Sequence, residues 1–198
     1  NRMKLVLSLF LINATFYLMG CEQRPLTEIK SLREMYGLEE LLRLQKQGST
    51  KLFMFNHAIA HDDVEALRIL FSYGKNNERI DYKDLPLSQR DPQDNPIFFS
   101  QLHLAAQFGA EKVARFCLDY QTDINSTTTS RIPEYHQNTP AHIAVMYAKH
   151  EILRLLLVQH QARLDILNGD GKTIEALAQD KKDDVALSII NEAKNKTK

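Results

Sequence analysis

His142 to Leu157 reads HIAVMYAKHEILRLLL, and two other stretches align with it without gaps. Asn56 to Gly74 reads NHAIAHDDVEALRILFSYG, and His103 to Gln121 reads HLAAQFGAEKVARFCLDYQ. The His142 stretch runs on as VQHQA, one residue longer than its counterparts. Each copy has small residues near its start, then a polar turn, then an apolar stripe. Ala66, Leu67, Leu70 and Phe71 form the stripe of the first copy. Val113, Ala114, Cys117 and Leu118 match them one by one, as do Ile152, Leu153, Leu156 and Leu157. Spacing of i, i+1, i+4 and i+5 predicts one buried face of a second helix in each unit. Cys117 therefore stands at a core leucine position, where a thiol is structural rather than reactive.

Thr139-Pro140-Ala141-His142-Ile143-Ala144 resembles the ankyrin signature T-P-L-H-x-A, with Ala for Leu. Ser100-Gln101-Leu102-His103-Leu104-Ala105-Ala106 is a looser copy. Gly109, Val113 and Asp123-Ile124-Asn125 resemble the family's Gly, Val and D-V-N positions. Asp170-Gly171-Lys172-Thr173 resembles the opening of a further repeat, whose helix pair is expected over Thr173 to Ala193. Asp62, Ala148 and Gln121 stand where the family usually has Gly, so less regular loops are expected. The resemblance implies an all-α ankyrin-repeat solenoid of about four helix-turn-helix repeats. It also implies that His103 and His142 hydrogen-bond neighbouring backbone.

The signature positions Asn56, His103, His142 and Ala176 are separated by 47, 39 and 34 residues. Against a period of about 33, some fourteen extra residues lie between the first two repeats and about six between the next two. The first insertion falls within Asn76 to Ser100 and the second within Ser126 to Asn138 (STTTSRIPEYHQN). Solenoid insertions map to loops, often on the binding face. Thr27 to Gly48 predicts two short helices broken at Gly37, a cap over the N-terminal end of the stack.

The first twenty residues differ from the rest. Arg2 and Lys4 precede an uncharged apolar run, Leu5 to Met19, that ends at Gly20-Cys21. As a helix it would reach roughly 22 Å, short of a ~30 Å hydrocarbon core, and it has the layout of a secretory signal peptide. Leu18-Met19-Gly20-Cys21 resembles a bacterial lipobox, which implies cleavage before Cys21 and acylation of its thiol. The expected organisation is a lipoprotein signal peptide over 1–20, a lipidated N-terminus and helical cap over 21–50, and the ankyrin-repeat domain over 51–198. Glu22 after the cysteine, by resemblance to enterobacterial lipoproteins, directs the chain to the periplasmic side of the outer membrane.

The full chain of 198 residues has 25 Lys+Arg against 25 Asp+Glu. Zero formal charge argues against general nucleic-acid binding, which needs a concentrated basic surface. Removing the signal leaves 23 basic and 25 acidic residues, and Cys117 as the only thiol besides Cys21. No nucleophile elbow, Walker A loop or dinucleotide fingerprint is present, so no catalytic residue and no cofactor is assigned. His57 and His61 have the i, i+4 spacing of helical metal ligands. No HExxH motif and no suitably placed third ligand accompany them, so no metal site is assigned. Asp62-Asp63 and Asp183-Asp184 are expected to cap second helices in the turns.

An ankyrin stack offers a concave face made of hairpin tips and first-helix ends. The exposed first-helix positions are predicted to be Ala60 and His61, Gln107 and Phe108, then Met146 and Tyr147. Aromatic and Met residues at such sites suit a protein interface, or, for Phe108 and Tyr147 alike, packing between neighbouring repeats. Arg131, Tyr135 and His136 extend the surface from the second insertion, and Arg90 and Asp94 from the first. The chain resembles small ankyrin-repeat lipoproteins that act as immunity proteins against type VI secretion phospholipase effectors. That resemblance implies a lipid-anchored monomer that pairs with a cognate toxin, occluding its active site or blocking its lid. The alternative is a protein-binding scaffold or accessory factor of the bacterial envelope.

Overall fold

The computed structural model describes Gly37, Glu39 and Arg43 as isolated positions, and residues 52–71, 87–90, 96–120 and 122–196. The expected signal peptide, Cys21, Asp94, Gln121 and nearly all of the expected N-terminal cap lie outside the described residues. The described residues form four helix pairs. They are α1 (Leu52–Ala60) with α2 (Val64–Phe71), and α3 (Gln101–Phe108) with α4 (Glu111–Asp119). Then come α5 (Pro140–Met146) with α6 (His150–Arg154), and α7 (Ile174–Lys181) with α8 (Asp184–Lys196). First helices stack on first helices and second on second, so the core runs the length of the stack. None of the described helices is long and apolar enough to cross a membrane.

The predicted stripes are the core, apart from Phe71, whose side chain lies outside those described. Ala66, Leu67, Leu70, Val113, Ala114, Leu153 and Leu156 are wholly buried, and Ile152, Leu157 and Cys117 nearly so. Leu118 is partly buried against them. Burial pushes the Cys117 thiol up to about 12, so it stays protonated and inert. On the outer edge, the Arg68 guanidinium lies 4.9 Å from the centre of the Phe116 ring, joining the first two pairs.

The turn between paired helices needs one residue with positive φ, the conformation glycine adopts at least cost. Gly109 supplies it at φ 76 in the second pair. Asp62 (φ 52), Ala148 (φ 51) and Lys182 (φ 55) adopt it without being glycine. Asp62 and Ala148 therefore keep a regular turn under local strain, where irregular loops were expected.

The first and last turns also cap their own second helices. Asp63 Oδ1 accepts from Ala66 N–H at 3.0 Å, and Asp183 Oδ1 from Ala186 N–H at 3.0 Å. Asp62 acts across repeats: its carboxylate accepts from Lys112 N–H at 3.1 Å and Val113 N–H at 2.8 Å, at the start of α4. Ala110, the residue before α4, has no side chain for that task. His150 Nε2 lies 2.8 Å from Asp183 Oδ2, tying α6 to the last pair. Burial alone would raise the Asp183 carboxyl. Hydrogen bonds from Ala186, His150 and Val185, with the His150 charge, outweigh it and hold the group below the usual range.

The extra residue of VQHQA has a structural counterpart. After α6 the chain widens into a π-turn over Leu155–Gln159, then closes with Ala162 N–H donating to Leu156 O at 3.0 Å. A single added residue inside a helix is absorbed in this way. Leu155, Leu156, Leu157 and Val158 all stay buried.

The first insertion is more than a loop. It holds an antiparallel hairpin, β1 (Leu87–Arg90) with β2 (Pro96–Phe99), paired Leu87 to Phe99 and Arg90 to Pro96. Ile97 and Phe99 are buried while Phe98 is 42% exposed, the alternation of a half-buried strand. These strands are a local addition to a mostly helical chain.

Candidate functional site

The two insertions are one surface. Phe98 N–H donates to Thr129 O and Thr129 N–H to Phe98 O, both at 2.9 Å. Thr128 N–H donates to Asn138 O at 2.9 Å, and Gln137 N–H to Thr128 O at 2.8 Å. Gly169 N–H, from the loop before α7, donates to His136 O at 2.8 Å. A hydrogen-bonded ribbon thus runs from β1 through β2 and both arms of the second insertion to the last repeat.

Three buried polar side chains lock it: Thr128, Asn138 and Asn168 are 4%, 0% and 4% exposed. The Thr128 hydroxyl donates to Tyr135 O at 2.7 Å and accepts from Asn138 N–H at 3.0 Å. Asn168 Nδ2 donates to Asn138 Oδ1 at 3.2 Å, and Asn168 Oδ1 accepts from the Asp170 and Lys172 amides. Gly169 lies so close to the insertion that a Cβ there would collide with the Pro133 carbonyl oxygen. Unpaired, such groups would each cost about 1–3 kcal/mol, and paired they fix the loop in one shape.

The signature histidines feed the same lock. His103 Nε2 donates to Asn138 O at 2.9 Å, and His142 Nε2 to Lys172 O at 3.1 Å. That assigns the proton to Nε2 and leaves Nδ1 to accept. His103 Nδ1 lies 2.8 Å from Ser100 Oγ, and His142 Nδ1 2.8 Å from Thr139 Oγ1. Burial is the largest cause that lowers His103 to about 4, against bonds to the Asn138 and Ser126 backbone that raise it. Burial lowers His142 as well, against its bond to Lys172. Both are neutral at pH 7, as the tautomer requires.

The other sequence-predicted residues divide. Arg131 is exposed, and so is Tyr147, at 37%. Phe108, Met146 and Tyr135 are only partly exposed; their side chains pack on the core, where open surface was expected. Gln107 and His61 are half-buried, and the His61 ring stacks on His57 with centroids 4.3 Å apart. His136 is half-buried, with Nδ1 accepting from Ser130 N–H at 3.3 Å. Arg90 ends β1, opposite Pro96. No group of three or more metal-ligating side chains converges among the described residues.

Two exposed apolar residues of the ribbon side escaped the sequence reading: Phe98 and, at 53% exposure, Leu167. Ile97-Phe98-Phe99 is a continuous apolar run within a polar insertion, so no alternation in the sequence marked which of the three faces water. Nothing in one sequence marked Leu167 or the Thr128–Asn138–Asn168 lock, which needs residues 30 and 10 positions apart.

The architecture is that of a helix-pair repeat solenoid carrying two inserted segments. Residues 102–198 match the family model for ankyrin repeats, in three copies, and the fold is an all-α ankyrin solenoid. The α1–α2 pair precedes the matched stretch and stacks in the same manner. No curated protein matched the chain in sequence. Ankyrin repeats are protein-interaction modules, and protein is the partner class they imply.

Proposed function

We propose that the chain is a lipid-anchored, periplasmic immunity protein that binds a type VI secretion phospholipase effector and holds it inactive. The observation that carries it is the ribbon: two insertions, fused and locked, give a rigid solenoid one preorganised recognition surface. Preorganisation removes ordering costs from binding, which suits a tight inhibitor. The lipobox-like Cys21 supports an anchor, which would confine the inhibitor to the membrane the toxin attacks and raise its effective concentration. The resemblance to immunity lipoproteins supports the partner class.

The test is competition between kin. Deleting the gene is expected to make cells sensitive to secretion-competent siblings, and purified residues 22–198 should inhibit the effector stoichiometrically. Deletion mutants that survive contact unharmed would sink the immunity role. Residues 22–198 that instead bind housekeeping envelope proteins would favour the scaffold reading, with which the family match is consistent.

A further inference from the structure

We propose that Phe98 and Arg131 form the centre of the recognition surface, and that the partner presents an Asp or Glu carboxylate beside an apolar depression. This deepens the protein-binding reading and rests on it. Phe98 is 42% exposed although both its strand neighbours are buried. Thr129, hydrogen-bonded to it on both sides, is also exposed, and Arg131 follows two residues on, exposed in turn. Paired residues of a ladder carry their side chains on one side, so Phe98 and Thr129 rise together toward water.

Charge decides the partner's chemistry. Arg68 pairs with Glu65, Arg115 with Glu111, Arg154 with Glu192 and Arg163 with Asp165. Arg43 has an interaction of its own. Among the described arginine side chains, only the Arg131 guanidinium has no such partner, so its charge is answered by none of the described residues. It stands on the insertion that Thr128, Asn138 and Asn168 lock, so the backbone that carries it is already ordered. A guanidinium fork of donors is matched by a carboxylate. Phe98, on the bridge two residues before it, adds the exposed aromatic that interface centres favour.

The test uses the full chain in the cells that produce it, with a photoreactive benzoyl-phenylalanine at Thr129 or, as control, at Val185, 53% exposed on α8. Irradiation is expected to join one protein to position 129 and none to 185. R131E should weaken that adduct about tenfold or more, R131K, which keeps the charge but loses the fork, by a smaller factor, and F98S should lower it several-fold. Unchanged thermal melting of R131E and F98S excludes unfolding as the cause. No adduct at 129, equal adducts at both positions, or an adduct indifferent to R131E overturns the proposal. An adduct with a phospholipase upholds the surface and the immunity reading together. An adduct with another protein, still lost in R131E, upholds the surface and overturns the immunity reading.

Discussion

Ala148 and Gly109 hold equivalent turn positions in left-handed backbone, yet only one is glycine. A Cβ in that region costs about 1–2 kcal/mol, part of which glycine's extra unfolded freedom offsets. Ala148→Gly is therefore expected to stabilise the chain by about 1 kcal/mol. Gly109→Ala should destabilise it by a similar amount, since its Cβ would also press on Lys149 Cδ at 3.1 Å. Urea denaturation of both variants checks the pair, and equal signs would refute the strain argument. Cys117 offers a second check at this scale. Buried and held protonated at about 12, it should resist thiol reagents at pH 8 until the protein unfolds. Labelling of native protein at the rate of a free thiol would contradict its placement in the core.

Between elements, capping by a neighbouring repeat and buried polar locks do what apolar stacking leaves undone. Asp62 satisfies two amides at the start of α4, a helix whose own preceding residue is alanine. Asp62→Ala should cost about 1 kcal/mol, while Asp62→Asn, which still accepts, should cost much less. A destabilisation by Asn equal to that by Ala would show that the cap is not the cause. The ribbon makes a different prediction. Thr128→Val removes the hydroxyl bonds to Tyr135 O and Asn138 N–H while keeping volume. Amides of residues 129–137 should then exchange with solvent about tenfold faster or more, with the helices of the last two repeats little affected. Uniform acceleration along the chain would instead make Thr128 a general stability residue.

For the whole molecule, pH acts through its buried histidines. His57 and His103 are lowered to about 4, and His142 is lowered too. Burial is the first cause for each; for His57 the His61 charge adds to it, while Asp63 opposes. The unfolded chain binds these protons near the ordinary value of 6.5, whereas folded His57 and His103 refuse theirs until about 4 and folded His142 is shifted in the same direction. Their contribution is thus complete above 6.5 and is lost as pH falls toward 4, by up to about 1.4 kcal/mol per pH unit for each group. Urea midpoints should be flat between pH 7 and 8 and fall steeply from 6.5 to 4.5. A midpoint constant down to pH 4.5 would show that these side chains are not buried neutral.

The repeats, the second-helix stripes and the signature histidines were legible in the sequence because each is a local pattern at helical spacing. Leu67, Val113 and Leu153 could be assigned to the core from neighbours four residues away. The turn residues were located but not their conformation: Ala148 resembles no glycine, and only the stacked helices force it into left-handed backbone. The candidate surface was half legible. Arg131 and Tyr147 are exposed, but Phe108, Met146 and Tyr135 lean into the core, because side-chain direction at a helix end depends on the next repeat's position. The ribbon could not be read from the sequence. Its hydrogen bonds join Phe98 to Thr129, Thr128 to Asn138 and His136 to Gly169, and backbone pairing over such distances leaves no residue pattern. Local periodicity therefore determined the solenoid, since helix burial depends on spacing within a dozen residues. Tertiary structure decided the recognition surface, since it exists only where two insertions from different repeats meet.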